Sequence, residues 1–82
     1  MRIRFAKRIQ KDLKNLDVKA RNRIKNKLLW FLEQKDPLDF AEVLTDSRTG
    51  HYRFRVGDYR IIFDINHDCI EVNKIGHRRE IY

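Results

Sequence analysis

Residues 2–5 (RIRF) alternate polar and apolar side chains, the two-residue period of a half-buried strand. From Ala6 the period changes. Ala6, Ile9, Leu13 and Leu16 recur at steps of three and four, which predicts a helix with one buried face and leaves Lys7, Arg8, Lys11 and Lys14 toward water. The break at residues 15–17 ends it, and Asp17 suits an N-cap, because its carboxylate can accept the orphan backbone N–H groups of a following helix. That second helix is predicted from Val18 to Glu33, with Ala20, Ile24, Leu28, Phe31 and Leu32 buried and Arg21, Arg23, Lys25 and Lys27 mainly on the wet side. The run LLWFL (residues 28–32) is too apolar for one stripe. Leu29 is expected under a loop or the other helix. Trp30 has two readings: the same cover, or a groove for a partner protein, since exposed aromatic patches mark interfaces.

Pro37 stops the helix, and residues 35–50 read as a connector. Within it, DFAEVL is expected as a short turn or strand under the sheet, anchored by Phe40, Val43 and Leu44, and DSRTG is turn chemistry. HYRFRV and YRIIFDI are then two strands joined by Gly57–Asp58, and glycine at the first loop position suits a type II′ turn. A turn at residues 66–68 leads into a last strand, CIEVNKIG, and HRREIY closes the chain. The expected fold is α+β in a single domain over residues 1–82: a short N-terminal strand, a two-helix hairpin, then a three-stranded antiparallel meander, all in one sheet. The register of the last strand stays open. A four-residue turn puts Ile70 and Val72 on the core face; a three-residue turn puts them on the opposite one.

With Gly57–Asp58 as the loop, Val56 faces Tyr59, Phe54 faces Ile61 and Tyr52 faces Phe63, and paired residues share a face. These residues and Ile65 form the core side. The other side gathers His51, Arg53, Arg55 and Arg60 with Ile62 and Asp64. Arg55 then lies directly across from Arg60. Like charges so placed destabilise a sheet, which makes sense where an anion fills the gap, and guanidinium forks match phosphate. A solvated sheet face explains the pattern about equally well by itself. The C-terminal GHRREIY tips the balance, since it adds His77, Arg78, Arg79 and Tyr82, and a polyanion site with histidines and a tyrosine can move protons as well as bind.

Composition sharpens this reading. Nineteen Lys and Arg against twelve Asp and Glu give a net charge of +7, which favours polyanions. Residues 1–35 hold twelve basic and three acidic residues, so the surplus lies on the N-terminal half. A chain of 82 residues buries only roughly 60–65% of its unfolded surface. The single cysteine, Cys69, excludes an internal disulfide and a cysteine-built zinc site, and reads as a small strand hydrophobe. No metal-ligand set or cofactor loop is visible, so no metal and no cofactor are expected. No apolar run follows the basic N-terminus, and none approaches the roughly 20 residues of a membrane span. The expected location is the cytoplasm, without membrane contact.

YRFRVGDYRIIFDI followed by a terminal GHRREIY, behind a strand and two helices, resembles the RelE branch of the RelE/ParE toxin superfamily, and the likeness covers essentially the whole chain. It implies a four-stranded, mostly antiparallel sheet with both helices on one side. It also implies ribosome-dependent cleavage of mRNA by the toxin of a toxin–antitoxin pair, with a cognate antitoxin wrapping the toxin in a hetero-oligomer. By the resemblance, Arg60 and Arg78 stabilise the scissile phosphate and Tyr82 orients the nucleotide or the attacking hydroxyl. Two basic positions on the first hairpin strand, often lysines in the family, are His51 and Arg53 here.

Metal-free RNA cleavage through the 2′-hydroxyl needs a base, cations for the phosphorane and an acid for the leaving oxygen. Arginine does not exchange protons usefully at neutral pH, so Arg53, Arg60 and Arg78 fit charge stabilisation, and the proton carriers are sought among His51, His77 and Tyr82. His67 reads as a solvated turn residue, and for His77 a backbone-capping role competes. Arg55, Arg79, Lys7, Arg8, Lys11, Arg21, Arg23 and Lys25 are candidates for RNA phosphate contacts on the ribosome, against a merely soluble surface. Three rivals stand: a ParE-like toxin of DNA gyrase, a non-enzymatic nucleic-acid-binding module, and an inactive member acting only in a regulatory complex.

Overall fold

The computed structural model describes residues 1–45 and 47–81. Its elements run β1 (Arg2–Phe5), α1 (Ile9–Lys14), α2 (Val18–Glu33), a 3-10 turn (Pro37–Phe40), β2 (Glu42–Val43), β3 (Tyr52–Val56), β4 (Tyr59–Asn66) and β5 (Cys69–His77). The strands form one sheet in the order β1-β5-β4-β3-β2. β1 runs parallel to β5, and the other neighbours pair antiparallel. This is the expected α+β arrangement with one more strand than the meander required, because Glu42 and Val43 add to β3 opposite Arg53 and Tyr52.

α2 occupies its predicted span, and its start is set by Asp17, whose side chain accepts the Ala20 N–H at 2.7 Å. Ala20, Ile24, Leu28 and Phe31 are its buried side. Ile24, Leu28 and Phe31 join Phe54, Ile61, Phe63, Ile70, Val72 and Ile75 in the core, with Phe31 stacked on Phe54 at a ring separation of 4.1 Å. α1 is shorter than its apolar period suggested. The Ala6 N–H still bonds Val72 O at 2.9 Å, extending the path of β1, so the helix begins only at Ile9. Beyond the β1 ladder the edge of β5 is open, and there Asp12 of α1 accepts the Ile75 N–H at 3.0 Å.

Three expectations on the helical side need correction. Leu29 is not covered but 50% exposed, and it lines an open apolar groove of about 460 Å³ with Ile3, Phe5, Val18 and Leu32, edged by Arg21 and Lys25. Val43 and Phe40 are not buried anchors. Val43 lies on a two-residue edge strand and is 73% exposed, while Phe40 sits edge-on to Trp30 at 4.9 Å and covers only part of that ring.

The β4–β5 turn settles the register. Asn66 pairs with Cys69, so only two residues form the loop, and Ile70 and Val72 are fully buried on the core side. His67 takes the positive φ of 58° there, and Gly57 takes φ 60° in the β3–β4 turn, as the first position of a type II′ turn requires. A bulge interrupts the β4–β5 ladder: Phe63 faces Val72 and Ile62 faces Lys74, with Asn73 as the extra residue. The bulge lets Ile75 rejoin the core side three residues after Val72.

Candidate active site

The β3–β4 register places Arg55 across from Arg60 and Arg53 across from Ile62, as the alternation predicts. The face is nonetheless not an open solvated one. Arg60 is 4% exposed and Ile62 is also buried. The connector before β3 lies over Ile62, so close that a Cβ on Gly50 would meet Ile62 Cγ2 at 2.9 Å. On the other flank, Ile81 returns against Gly76, the residue paired with Arg60.

Arg60 is held from below. Its Nη1 donates to Gly57 O and Tyr59 O, both at 2.9 Å, so the hairpin turn itself fixes the guanidinium. Its Nε is buried with no hydrogen-bond partner among the described residues. Burial, then the neighbouring Arg55, Arg53 and Arg78 charges, push Arg60 below the ordinary arginine value. Arg78 reaches the same turn from the C-terminal end: its N–H donates to Asp58 O at 2.7 Å, and its Nε lies 3.7 Å from Asp58 Oδ1. Two arginines eighteen positions apart are thus anchored on one two-residue turn.

Part of the positive charge meets two acids: Asp64, which the alternation already placed on this face, and Glu42, which the sequence reading did not include. Glu42 of β2 accepts from Arg53 Nη2 at 2.6 Å and lies 3.5 Å from Arg55 Nε. The Arg53 hydrogen bond outweighs desolvation and holds the Glu42 carboxyl below the usual glutamate value. The signal was present as charge complementarity, since the acidic connector precedes the arginine-rich strand. Asp64 accepts the His51 N–H at 2.8 Å and meets His51 Nδ1 at 2.6 Å. Burial raises the Asp64 carboxyl, but the His51 bonds outweigh it and the group stays below its ordinary value. An ionised carboxylate only accepts, so the Nδ1 proton is assigned to His51, and its Nε2 lies outside that bond. Asn73, the bulge residue, donates to Asp64 Oδ2 at 3.1 Å and to Thr49 O at 2.8 Å, which ties this end of the face to the connector.

His51, Arg53, Arg55, Arg60 and Arg78 therefore share one side of the molecule, while His77 does not join them. It pairs with Tyr59 on the core side, its ring edge-on to that tyrosine at 5.6 Å, and its Nδ1 accepts the Arg79 N–H at 3.1 Å. The competing capping role describes this placement. Arg79 is exposed beyond β5. Lys7, Lys11, Arg21 and Lys25 are exposed on the helical layer, away from the arginine face. Tyr82 lies outside the described residues. Among those residues no cluster of three or more His, Cys, Asp or Glu side chains is placed to hold a metal ion, and no helix is long and apolar enough to cross a membrane.

Fold and site define a small basic α+β domain whose sheet presents an anchored arginine cluster. The family model for the ParE toxin of type II toxin-antitoxin systems, parDE, matches residues 3–82. Toxin RelE3 of Methanocaldococcus jannaschii is 34% identical over 87 positions that span 100% of this chain and 96% of that protein. The RelB-RelE antitoxin-toxin complex from Methanococcus jannaschii contains a chain of the same fold, with a TM-score of 0.73 and 31% identity over 95% of this chain and 93% of that one. A chain of the toxin-antitoxin complex RelBE2 from Mycobacterium tuberculosis shares the fold at a TM-score of 0.68 and 24% identity, over 94% and 96% of the two chains. The chain belongs to the RelE/ParE superfamily of type II toxin–antitoxin toxins.

Proposed function

We propose that this toxin is a metal-independent endoribonuclease that cuts mRNA on the ribosome through the RNA's own 2′-hydroxyl and so stops translation in the cytoplasm. The observation that carries the reading is that the hairpin turn fixes the Arg60 guanidinium and ties the backbone of Arg78 beside it. Donors held in place before the reaction, in a partly water-excluded site, act on developing charge without reorganising. Arg60 and Arg78 stabilise the phosphorane, and Arg53 adds a third cation whose charge Glu42 partly offsets. Asp64 lies four residues from Arg60, roughly 13 Å of strand, so the substrate runs along this face from the turn toward His51. His51 with its open Nε2 and the C-terminal Tyr82 carry the proton transfers. His77, whose Nδ1 is engaged by its own backbone, supports the C-terminal turn.

The partner is a cognate antitoxin. The apolar groove between β1 and α2, edged by Arg21 and Lys25, suits an amphipathic segment carrying acidic residues. Trp30 is not part of that groove.

The test is single-turnover cleavage of mRNA on programmed ribosomes. Arg60→Ala and Arg78→Ala are each expected to lower the rate by about 10²–10³, with Lys recovering only part because the planar fork is lost. Arg55→Ala, whose guanidinium leans on Glu42, should be milder. Folded Arg60→Ala and Arg78→Ala proteins that cleave at the wild-type rate would overturn the assignment. The family model carries the ParE name, which favours gyrase as the second reading. Intact transcripts with accumulating gyrase–DNA covalent complexes would establish it instead.

A further inference from the structure

Between α2 and the tip of the β3–β4 hairpin lies an open groove of about 570 Å³, distinct from the apolar groove beside β1. Its walls are Arg23, Lys27 and Trp30 on one side and Arg55, Val56 and Gly57 on the other. No carboxylate among the described residues lines it. Among the described residues neither Arg23 nor Lys27 has a carboxylate partner within 4.0 Å, although Arg55 leans toward Glu42 at 3.5 Å. The Arg23 guanidinium lies against the turn, so that a Cβ on Gly57 would sit 2.7–2.8 Å from its atoms. Trp30 is 39% exposed, and the Lys27 ammonium rests over its ring at 4.1 Å from the centroid. Arg55 belongs to both surfaces, since it faces Arg60 on the sheet and also forms one lip of the groove.

We propose that this groove binds single-stranded RNA that continues from the arginine face around the hairpin tip, with phosphates on Arg23, Lys27 and Arg55 and an unpaired base on Trp30. The proposal rests on the RNA-cleaving reading of the sheet and extends it to a second site. Unopposed cations beside a half-open aromatic ring are the two elements by which proteins hold single strands without reading sequence. The ring already has an ammonium over it, so a base can take the place of the flexible Lys27 head while that head turns to a neighbouring phosphate. An acidic protein segment would use the cations but has no need of a flat ring set among them. A paired duplex keeps its bases stacked and out of reach of Trp30.

Trp30 is the single tryptophan of the chain and reports directly on the groove. The probe is a single-stranded 2′-O-methyl oligoribonucleotide of about ten nucleotides, which has no free 2′-hydroxyl and cannot be cleaved by the proposed chemistry. Titrated into the free toxin, it is expected to quench Trp30 saturably. Lys27→Gln should weaken binding and flatten the slope of log affinity against log salt by about 0.7. Trp30→Leu, followed by anisotropy of a labelled oligonucleotide, should weaken it by about tenfold. Because Arg23 touches the turn, Arg23→Gln serves only as a second variant, with its melting curve checked. Binding that leaves Trp30 emission unchanged and is indifferent to Lys27→Gln overturns the proposal. So does quenching by an acidic helical peptide but not by the oligonucleotide, which would assign the groove to a protein. Quenching that persists in Arg60→Ala supports the groove even if ribosomal cleavage is never observed. Cleavage without quenching removes the groove and leaves the active site standing.

Discussion

Glu42 lies against both Arg53 and Arg55 on the arginine face, and we predict that Glu42→Gln both loosens the fold and sharpens anion binding there. Two unit charges about 4 Å apart interact by about 1 kcal/mol in water and about 4 kcal/mol near a protein surface. The Arg53 side chain is 15% exposed but Glu42 is 42% exposed, so solvent screening favours the lower end, about 1 kcal/mol. For a domain of this size that is a fall in Tm of about 4–8 °C at pH 7. The sign of the pH dependence follows from the depressed Glu42 pKa. The contribution is present in full above the ordinary glutamate value of 4.5 and is lost as pH falls through the folded-state value. Thermal unfolding followed by circular dichroism should show a gap between wild type and Glu42→Gln at pH 7 that narrows below the ordinary glutamate value and closes once Glu42 is protonated in the folded protein. Asp64 titrates in both proteins, so the difference isolates Glu42. The variant should also bind inorganic phosphate more tightly, since the Glu42 charge beside Arg53 and Arg55 is gone. A pH-independent gap, or unchanged phosphate affinity, would refute the idea that Glu42 stands where substrate charge belongs.

Asp17→Ala removes the cap on α2 and should cost about 1 kcal/mol, visible as a lower denaturant midpoint with unchanged slope. Gly57→Ala should cost more than about 1 kcal/mol, because φ 60° is strained for alanine and its Cβ would press on Arg23, and chemical denaturation would measure it. Tyr82→Phe, which removes only the hydroxyl proposed to move a proton, should lower single-turnover cleavage on programmed ribosomes.

What the sequence disclosed follows from where the physics is local. The Asp17 cap and the apolar spacing behind it specify α2 within its own residues. Gly57–Asp58 specifies the hairpin register, and the register specifies which arginines share a face. The covering of this face was not legible, because it comes from residues distant in the chain: the connector before β3 lies against Ile62, and Ile81 returns against Gly76, the partner of Arg60. Alternation assigns a side of the sheet, not what covers that side. The bulge did leave a trace. The apolar positions of β5 step from Ile70 to Val72 by two and then to Ile75 by three, and a strand that keeps all three on one side needs one extra residue. The same shift carries the following residues, which is why His77 comes to share the core side with Tyr59 and not the arginine face. Glu42 was missed because two residues of edge strand carry too short an alternation to be recognised.

The family motif reads as two separate words, GDYR and GHR, and the structure makes them one device. Gly57 is required for the turn, and the turn's carbonyls then point where Arg60 Nη1 can donate to two of them. Asp58 closes the loop and offers its own carbonyl to the Arg78 N–H, so the end of β5 is latched to the same two residues. A buried guanidinium whose Nε has no partner among the described residues is unfavourable for the fold alone. On the reading proposed above, an anion arriving from outside meets that charge, and inorganic phosphate should therefore raise the Tm of the free toxin, which thermal unfolding with and without phosphate would measure.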